Sequence, residues 1–159
     1  MIVKTIQDNI LRSNEKHIAF AINTEGYNND GFAGQVAIKY WPELAKCGEH
    51  EIGTVISKTV GNKNFHALVC HSSKNGWGNE QSEVIKACFD KIPANGEPIS
   101  TIAIGTGYND IISGADFKQI VYGMETATNN IILYAGYTLD DIESICQENN
   151  QENKKLIRK

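Results

Sequence analysis

Two kinds of hydrophobic pattern alternate along the chain. Five apolar runs have the length of a strand, and a sixth segment is rich in β-branched residues; they cover residues 2–6, 17–23, 51–60, 65–70, 100–104 and 130–134. Apolar runs without regular alternation are typical of strands that are covered on both faces. The pattern therefore predicts six strands, several of them in the middle of a covered sheet.

Helical spacing of apolar residues follows several of these strands. It predicts helices that begin at Gly34, after an N-cap at Asn79, and at Ala115. Strands that alternate with helices predict an α/β fold, in which a mixed sheet of about six strands is sandwiched between helices. We expect residues 1–137 to form this domain and residues 138–159 to form a C-terminal tail that is helical and then frayed.

Two glycine-rich loops carry the candidate chemistry. One runs from Glu25 to Gly34 and leads into a helix at Gln35, and the other is Gly105-Thr106-Gly107 after a strand. The backbone N–H groups of such a loop and the positive end of a helix dipole favour a phosphate. Two of them at the carboxyl ends of strands suit a pyrophosphate. Glycine-rich loops also serve simply as tight turns, so the loops alone leave both interpretations open.

The order of four motifs adds a family resemblance. The motifs are Asp8 after the first strand, Ile22-Asn23 at the end of the second, Ala33-Gly34-Gln35-Val36-Ala37, and Ile104-Gly105-Thr106-Gly107-Tyr108-Asn109. This order, over Ile2 to Tyr134, resembles the macro domain, an ADP-ribose-binding module. It is most similar to the small branch whose members remove acyl groups or protein glutamate from ADP-ribose. The resemblance implies a macro-type α/β fold.

The resemblance also implies which residues bind the ligand. Asp8 would contact the adenine amino group, and Asn23 would face the distal ribose. The first loop would lie against the diphosphate and the distal ribose through Ala33, Gly34, Gln35 and Val36. The second loop would hold the diphosphate through Gly105, Thr106, Gly107 and Tyr108.

The catalytic candidates are His71, Asn109 and Asp110. The resemblance places His71 where the branch has a lysine, and Asn109 or Asp110 where it has an aspartate. An imidazole acts as a base or an acid, whereas a lysine amine also forms Schiff bases. The implied reaction is hydrolysis at the distal ribose of a protein ester, an acetyl ester or a 1''-phosphate.

Three alternatives to a hydrolase remain open from the sequence. The first is a non-catalytic ADP-ribose reader. The second binds or hydrolyses an NAD-derived signalling nucleotide in bacterial defence or phage counter-defence. The third is an interaction domain with a degenerate pocket. Trp77 has two interpretations as well, either an exposed lid that stacks on a base or an aromatic residue partly buried under its loop.

Charge and composition restrict the partners. The chain has 15 Lys and Arg against 19 Asp and Glu, a net charge of −4, which argues against general binding to nucleic acid or anionic membranes. His17, His50 and His66 are not spaced as metal ligands, and no two of the four cysteines form a CxxC pair. We therefore expect no metal or cofactor, reduced thiols and a cytoplasmic protein without a signal peptide or membrane span. The expected partners are ADP-ribose or a related nucleotide and an ADP-ribosylated protein; the sequence predicts no oligomeric state.

Overall fold

The computed structural model describes residues 1–104, 115–135 and 138–157, with side chains described as far as residue 148. The strands are β1 (Ile2–Ile6), β2 (His17–Asn23), β3 (Val55–Val60), β4 (Lys63–His71), β5 (Ile99–Ile102) and β6 (Ile131–Tyr134). The helices are α1 (Gly31–Lys39), α2 (Gln81–Lys91), α3 (Phe117–Thr126) and α4 (Leu139–Ile157). Two short 3-10 helices cover Ile10–Arg12 and Pro42–Ala45.

The six strands form one mixed sheet in the order β1-β6-β5-β2-β4-β3. All neighbouring pairs are parallel except β3 and β4, which form an antiparallel hairpin. Gly61, at φ 60°, takes the left-handed conformation that the two-residue turn of this hairpin needs. The predicted α/β fold with a mixed sheet of about six strands is confirmed.

Apolar side chains cover both faces of the sheet, as the runs without alternation predicted. Strand β4 shows this, because Phe65, Ala67 and Val69 pack with α1 on one face. Leu68 and Cys70 pack with α2 and α3 on the other face. Burial on both faces explains why the central strands carry apolar residues at consecutive positions.

Several boundaries differ from the predicted ones. Helix α1 begins at Gly31 rather than Gly34, because the Asp30 carbonyl already accepts a helical bond from the Gly34 N–H at 3.1 Å. Strand β3 begins at Val55 rather than Glu51. A turn closed by Thr54 N–H and the Glu51 carbonyl precedes it. Beta-branched residues in a turn mimic a longer strand in the sequence.

The C-terminal segment forms α4, which a reciprocal cap begins. Thr138 N–H donates to Asp141 Oδ2 at 3.0 Å, and Asp141 N–H donates to Thr138 Oγ1 at 3.2 Å. Ile142 is buried with α2 and α3 in the core on that face. The division of the chain between residues 137 and 138 stays a prediction. None of the described helices is long and apolar enough to cross a lipid bilayer.

Candidate functional site

The candidate residues Asp8, Asn23 and His71 all lie at one edge of the sheet. Asn23 ends β2, His71 ends β4, and Asp8 follows β1 by two residues. These strands run in the same direction, so their carboxyl ends meet at one edge, which we call the carboxyl edge. Asn23 and His71 are partners in the β2–β4 register. Asp8 is farther away, because β1 lies three strands from β2, about 14 Å.

The first turn of α1 presents amide groups without partners at this edge. Asp30 is the N-cap residue, and its side chain makes no capping bond. The N–H groups of Gly31, Phe32 and Ala33 have no hydrogen-bond acceptor within the described structure. The open amides therefore begin at Gly31, upstream of the predicted Ala33 to Val36 segment.

The other residues of that predicted segment have different environments. Gly34 uses its N–H within the helix, Gln35 is exposed on the helix surface, and Val36 is fully buried in the core. A Cβ at Gly34 would come within 2.7 Å of the carbonyl carbon and oxygen of Asn29. A glycine is needed at this position because the preceding loop folds closely over the helix.

The side chain of Asn23 shapes the loop that follows β2. Its Oδ1 accepts hydrogen bonds from the N–H groups of Gly26 at 2.8 Å and Tyr27 at 3.2 Å. Its Nδ2 donates to the Tyr27 carbonyl at 2.8 Å. Asn23 thus bonds the loop with both ends of its amide. Its predicted contact with a ribose stays a prediction.

Glu25 clamps the loop after β2 to the loop after β4. Its Oε1 accepts from Ser73 N–H at 2.6 Å, and its Oε2 accepts from Ser72 Oγ at 2.9 Å and Thr24 Oγ1 at 2.8 Å. The bond from the Ser73 amide, with the hydroxyl bonds beside it, lowers the pKa of Glu25 to about 2. No pattern in the sequence predicts a role for Glu25, because an acid in one loop and serines in another give no signal of contact.

His71 stacks on Trp77, with ring centroids 5.1 Å apart and an interplanar angle of 18°. His71 is 8% exposed and Trp77 is 3% exposed, so Trp77 is not the exposed lid of the first interpretation. Burial lowers the pKa of His71 to about 4, partly opposed by the charge of Glu25. The imidazole is therefore neutral at neutral pH.

Both rings of this stack carry a buried polar atom that lacks a partner. His71 Nδ1 and Trp77 Nε1 make no hydrogen bond within the part of the chain that the structure describes. Buried polar atoms are nearly always hydrogen-bonded in native proteins, and an unpaired one costs about 1–3 kcal/mol. The carboxyl edge therefore has two unpaired ring nitrogens as well as the unpaired backbone amides of α1.

Comparison with known proteins gives matches among solved structures alone. No family model matches the chain, and no curated protein matches it. The alphavirus P23pro-zbd structure has a TM-score of 0.63 at 13% identity, over 94% of this chain and 24% of that chain. This chain thus spans about a quarter of that protein. The macrodomain of Mycobacterium tuberculosis DarG has a TM-score of 0.62 at 14% identity, over 83% of this chain and 98% of that chain.

The chain has the macrodomain fold. A macrodomain of Trypanosoma brucei in complex with ADP supports this further, with a TM-score of 0.58 at 12% identity over 90% of this chain and 66% of that chain. At such identities the likeness concerns the fold. The macro-type fold implied by the four sequence motifs is confirmed.

Part of the predicted site lies outside the described residues. It comprises the second glycine loop and the acidic candidates: Gly105, Thr106, Gly107, Tyr108, Asn109 and Asp110. Their predicted roles stay predictions. Strand β5 ends at Ile102, at the carboxyl edge, and the described chain continues to Ile104.

Within the described ranges of the chain, no group of three or more His, Cys, Asp or Glu side chains could hold a metal ion. The described groups at the carboxyl edge are the backbone amides of α1, the carboxylates of Asp8 and Glu25, and the neutral imidazole of His71.

Proposed function

We propose that this macrodomain binds ADP-ribose, or a molecule that contains it, at the carboxyl edge. The observation that carries the proposal is the open first turn of α1, where the amides of Gly31, Phe32 and Ala33 have no acceptor. A helix N-terminus with free amides attracts an anion such as a diphosphate. The fold shared with a macrodomain in complex with ADP supports the same class of ligand.

Asp8 is our candidate for recognition of the adenine base. Its Oδ1 accepts from the N–H of Asn9 at 2.7 Å, and its Oδ2 has no partner among the described residues. Asp8 is exposed beyond the end of β1. A carboxylate that accepts hydrogen bonds only would suit the amino group of adenine and would not suit a keto group at the same position.

The remaining parts of the ligand follow from this placement. The diphosphate would lie on the α1 amides and on the loop of Gly105, Thr106, Gly107 and Tyr108. The distal ribose would extend toward His71 and Asp110. Asn23 would act on the ribose through the loop it shapes, because its side chain already bonds Gly26 and Tyr27.

The proposed reaction is hydrolysis at the distal ribose. A neutral His71 would accept a proton from the attacking water, with Asp110 or Asn109 orienting that water. The loop amides would stabilise the negative charge that develops. The leaving group would be a protein carboxylate, an acetate or a phosphate, so an ADP-ribosylated protein is the proposed macromolecular partner.

The burial of His71 favours a second candidate function, a non-catalytic reader. The ring is 8% exposed and packed against Trp77, which restricts the access of water to it. A reader would need the α1 amides and Asp8 but no accessible base. It would bind ADP-ribose to saturation without turnover.

Calorimetric titration with ADP-ribose, AMP and NAD tests the binding proposal. We expect micromolar binding of ADP-ribose, weakened about tenfold or more by Asp8→Ala, since a hydrogen bond to a charged group is worth about 1.5–3 kcal/mol. Glu143→Ala, which removes one charge from the exposed surface of α4, is the matched control and should leave the affinity unchanged. Binding to none of the three compounds would contradict the proposal.

Turnover separates the two candidate functions. The substrates are an ADP-ribosylated peptide, O-acetyl-ADP-ribose and ADP-ribose 1''-phosphate. His71→Phe keeps a ring on Trp77 and removes the base, so it should abolish hydrolysis while binding persists. Wild-type binding without turnover would establish the reader. Tighter binding of a cyclic NAD derivative than of ADP-ribose would instead assign the site to a signalling nucleotide.

A further inference from the structure

Four side chains form a chain of hydrogen bonds away from the carboxyl edge. Ser57 Oγ lies 2.6 Å from His66 Nδ1, His66 Nε2 lies 2.9 Å from His17 Nδ1, and His17 Nε2 lies 3.1 Å from Glu97 Oε2. His17 is the first residue of β2, whereas Asn23 is the last. Six residue steps of a strand separate the two, about 20 Å. We call these four residues the amino-edge chain.

The amino-edge chain is buried in the middle and open at both ends. His66 is 2% exposed and His17 is 6% exposed, and their rings stack at 5.2 Å. Ser57 is exposed on β3. Glu97 is partly exposed and also pairs with Lys16 at 2.8 Å. The buried imidazoles thus connect a surface hydroxyl to a surface carboxylate.

For two singly protonated rings, an ionised Glu97 sets the direction of every hydrogen bond in the chain. The bond from Lys16 lowers the pKa of Glu97, so Glu97 is ionised and only accepts. With both rings neutral, His17 must then donate from Nε2 and accept at Nδ1, and His66 must donate from Nε2. His66 Nδ1 is left as an acceptor, so the Ser57 hydroxyl donates to it.

The result is a hydroxyl on an exposed serine whose proton points at an imidazole base. This is the relation of a nucleophile to its general base in covalent catalysis. His17 and Glu97 support this base, since their hydrogen bonds hold His66 in the tautomer that can accept a proton at Nδ1. The geometry is built by strand pairing, because Ser57 and His66 are direct cross-strand partners.

The backbone of Ser57 provides a further donor at the same place. Val60 and Lys63 close the two-residue turn and form a hydrogen-bonded pair, and such pairs alternate along an antiparallel ladder. Ser57 therefore occupies a position whose N–H points away from β4. Strand β3 is the last strand of the sheet, so this N–H faces the open edge. An N–H next to the nucleophile can stabilise an oxyanion.

We propose that Ser57 is the nucleophile of a second reactive site, which accepts the acyl group of carboxylic esters, with His66 as its general base. In the first step a bond forms between Ser57 Oγ and the acyl carbon, the ester C–O bond breaks, and the serine proton passes through His66 Nδ1 to the departing alcohol. Water then attacks the acyl-serine, loses its proton to His66, and releases the carboxylic acid as Oγ recovers a proton. His17 and Glu97 are positioning residues.

The test uses the whole chain with two probes, p-nitrophenyl acetate and a fluorophosphonate. The fluorophosphonate forms a P–O bond to the serine and loses fluoride. We expect one adduct per chain, located on Ser57 by peptide mass spectrometry, and acetate-ester turnover that Ser57→Ala lowers about 100-fold or more. Thr59→Ala is the matched control, because Thr59 is exposed on the same strand and bonds the Asn64 amide oxygen instead of an imidazole.

The pH profile distinguishes a base-assisted serine from an ordinary one. Burial, with the neighbouring His17, lowers the pKa of His66 to about 4, so labelling should stay nearly constant between pH 5 and pH 8. An unassisted serine would instead react about tenfold faster per pH unit, in proportion to its alkoxide fraction. Glu97→Gln, which is on the surface, should slow labelling of a folded protein and leave Ser57 as the labelled residue.

Three results would overturn the proposal. They are labelling spread over several serines, labelling of Ser57 no faster than of the other exposed serines, and a rate that rises tenfold per pH unit. Circular dichroism and the thermal midpoint of Ser57→Ala ensure that a loss of reactivity is not a loss of the fold. Because these measurements need no nucleotide, they are independent of the proposal for the carboxyl edge.

Discussion

The two edges of the sheet each hold a pair of stacked aromatic rings that differ in their hydrogen bonds. At the carboxyl edge His71 and Trp77 stack at 5.1 Å and 18°, and each has a buried nitrogen without a partner. At the amino edge His17 and His66 stack at 5.2 Å and 17°, and all four ring nitrogens are bonded. The two ring pairs therefore stack in nearly the same way, but only the pair at the amino edge has all its ring nitrogens hydrogen-bonded.

The difference indicates what each edge is built for. An unpaired buried donor or acceptor lowers stability, so it persists mainly where a bound molecule or a functional state uses it. The carboxyl edge combines the two unpaired ring nitrogens with the unpaired amides of α1, which suits a ligand site. The amino-edge chain satisfies all four of its ring nitrogens and directs one surface hydroxyl, which suits reactivity without a large ligand.

Lowering the pH should give the largest effect, and it acts on both edges. Burial lowers the pKa of His66 and of His71 to about 4, below the 6.5 of an unperturbed histidine. The unfolded chain therefore binds more protons than the folded chain between these values, so the free energy of unfolding falls as the pH falls from 6.5 toward 4. The loss is at most about 3 kcal/mol for each histidine. Urea unfolding at a series of pH values measures it.

Variants assign this pH dependence to the two histidines. His66→Phe and His71→Phe should each reduce the slope of the unfolding free energy against pH between pH 6.5 and pH 4, because each removes one titrating histidine. Thr59→Ala, at an exposed residue without a titratable side chain, is the control and should leave the slope as it is. A slope that neither phenylalanine variant reduces would contradict the assignment to these buried rings.

The same His→Phe change should have opposite effects at the two edges at neutral pH. His66→Phe leaves the buried Nδ1 of His17 without its donor, which costs about 1–3 kcal/mol. His71→Phe removes an atom that has no partner, so it should be neutral or stabilising. We expect the two unfolding free energies to differ by about 3 kcal/mol, measured by urea denaturation at pH 7.5. Equal destabilisation by both changes would mean that His71 Nδ1 is hydrogen-bonded in solution.

Much of the fold could be predicted from the sequence, because local patterns determine it. Five apolar runs and one segment rich in β-branched residues located the six strands, and the loop after Asn23 followed β2 as expected. The boundaries were less accurate where β-branched residues such as Ile52 and Thr54 lie in the turn before β3. The β-propensity of a residue gives its preference for a strand, but it does not tell where the partner strand begins.

The two edges were much harder to predict, since their contacts depend on strand register. His17 and His66 are 49 residues apart and meet only because β2 and β4 pair in parallel. From their spacing, both were predicted only to be structural or exposed histidines that bind no metal. Glu25 reaches Ser73 across a similar separation in the chain. Sequence order placed Asp8, Asn23 and His71 on one edge but could not tell that the side chain of Asn23 is already engaged.

Gly34→Ala should damage the carboxyl edge alone. Its new Cβ would come within 2.7 Å of the Asn29 backbone, so either the loop or α1 must move. We expect a loss of about 2 kcal/mol in unfolding free energy and weaker ADP-ribose binding, because the α1 amides shift with the helix. Thermal unfolding and calorimetry measure the two effects. Gly78→Ala is the control, since a Cβ there meets nothing within 4 Å.

Two outcomes of this pair of variants would change the comparison. A Gly34→Ala protein with reduced stability and full ADP-ribose affinity would show that the ligand does not use the first turn of α1. Loss of Ser57 labelling in Gly34→Ala would show that the two edges are coupled. We expect neither. Helix α1 packs against one face of the sheet, whereas Ala19 lies on the opposite face. Because side chains alternate between the two faces along a strand, His66 on β4 lies on the same face as Ala19.

The smallest effect should come from exchanging each tryptophan for phenylalanine. Trp77 and Trp41 are both buried, at 3% and 6% exposure, and each loses about the same volume in the exchange. Within the described residues, only Trp77 has an indole N–H that is buried without an acceptor. Trp77→Phe removes that N–H and so should be less destabilising than Trp41→Phe by about 1 kcal/mol. Urea unfolding of both variants measures the difference. A greater loss for Trp77→Phe would mean that its N–H has a partner in solution, such as an ordered water, and the carboxyl edge would then be less open than its hydrogen bonds indicate.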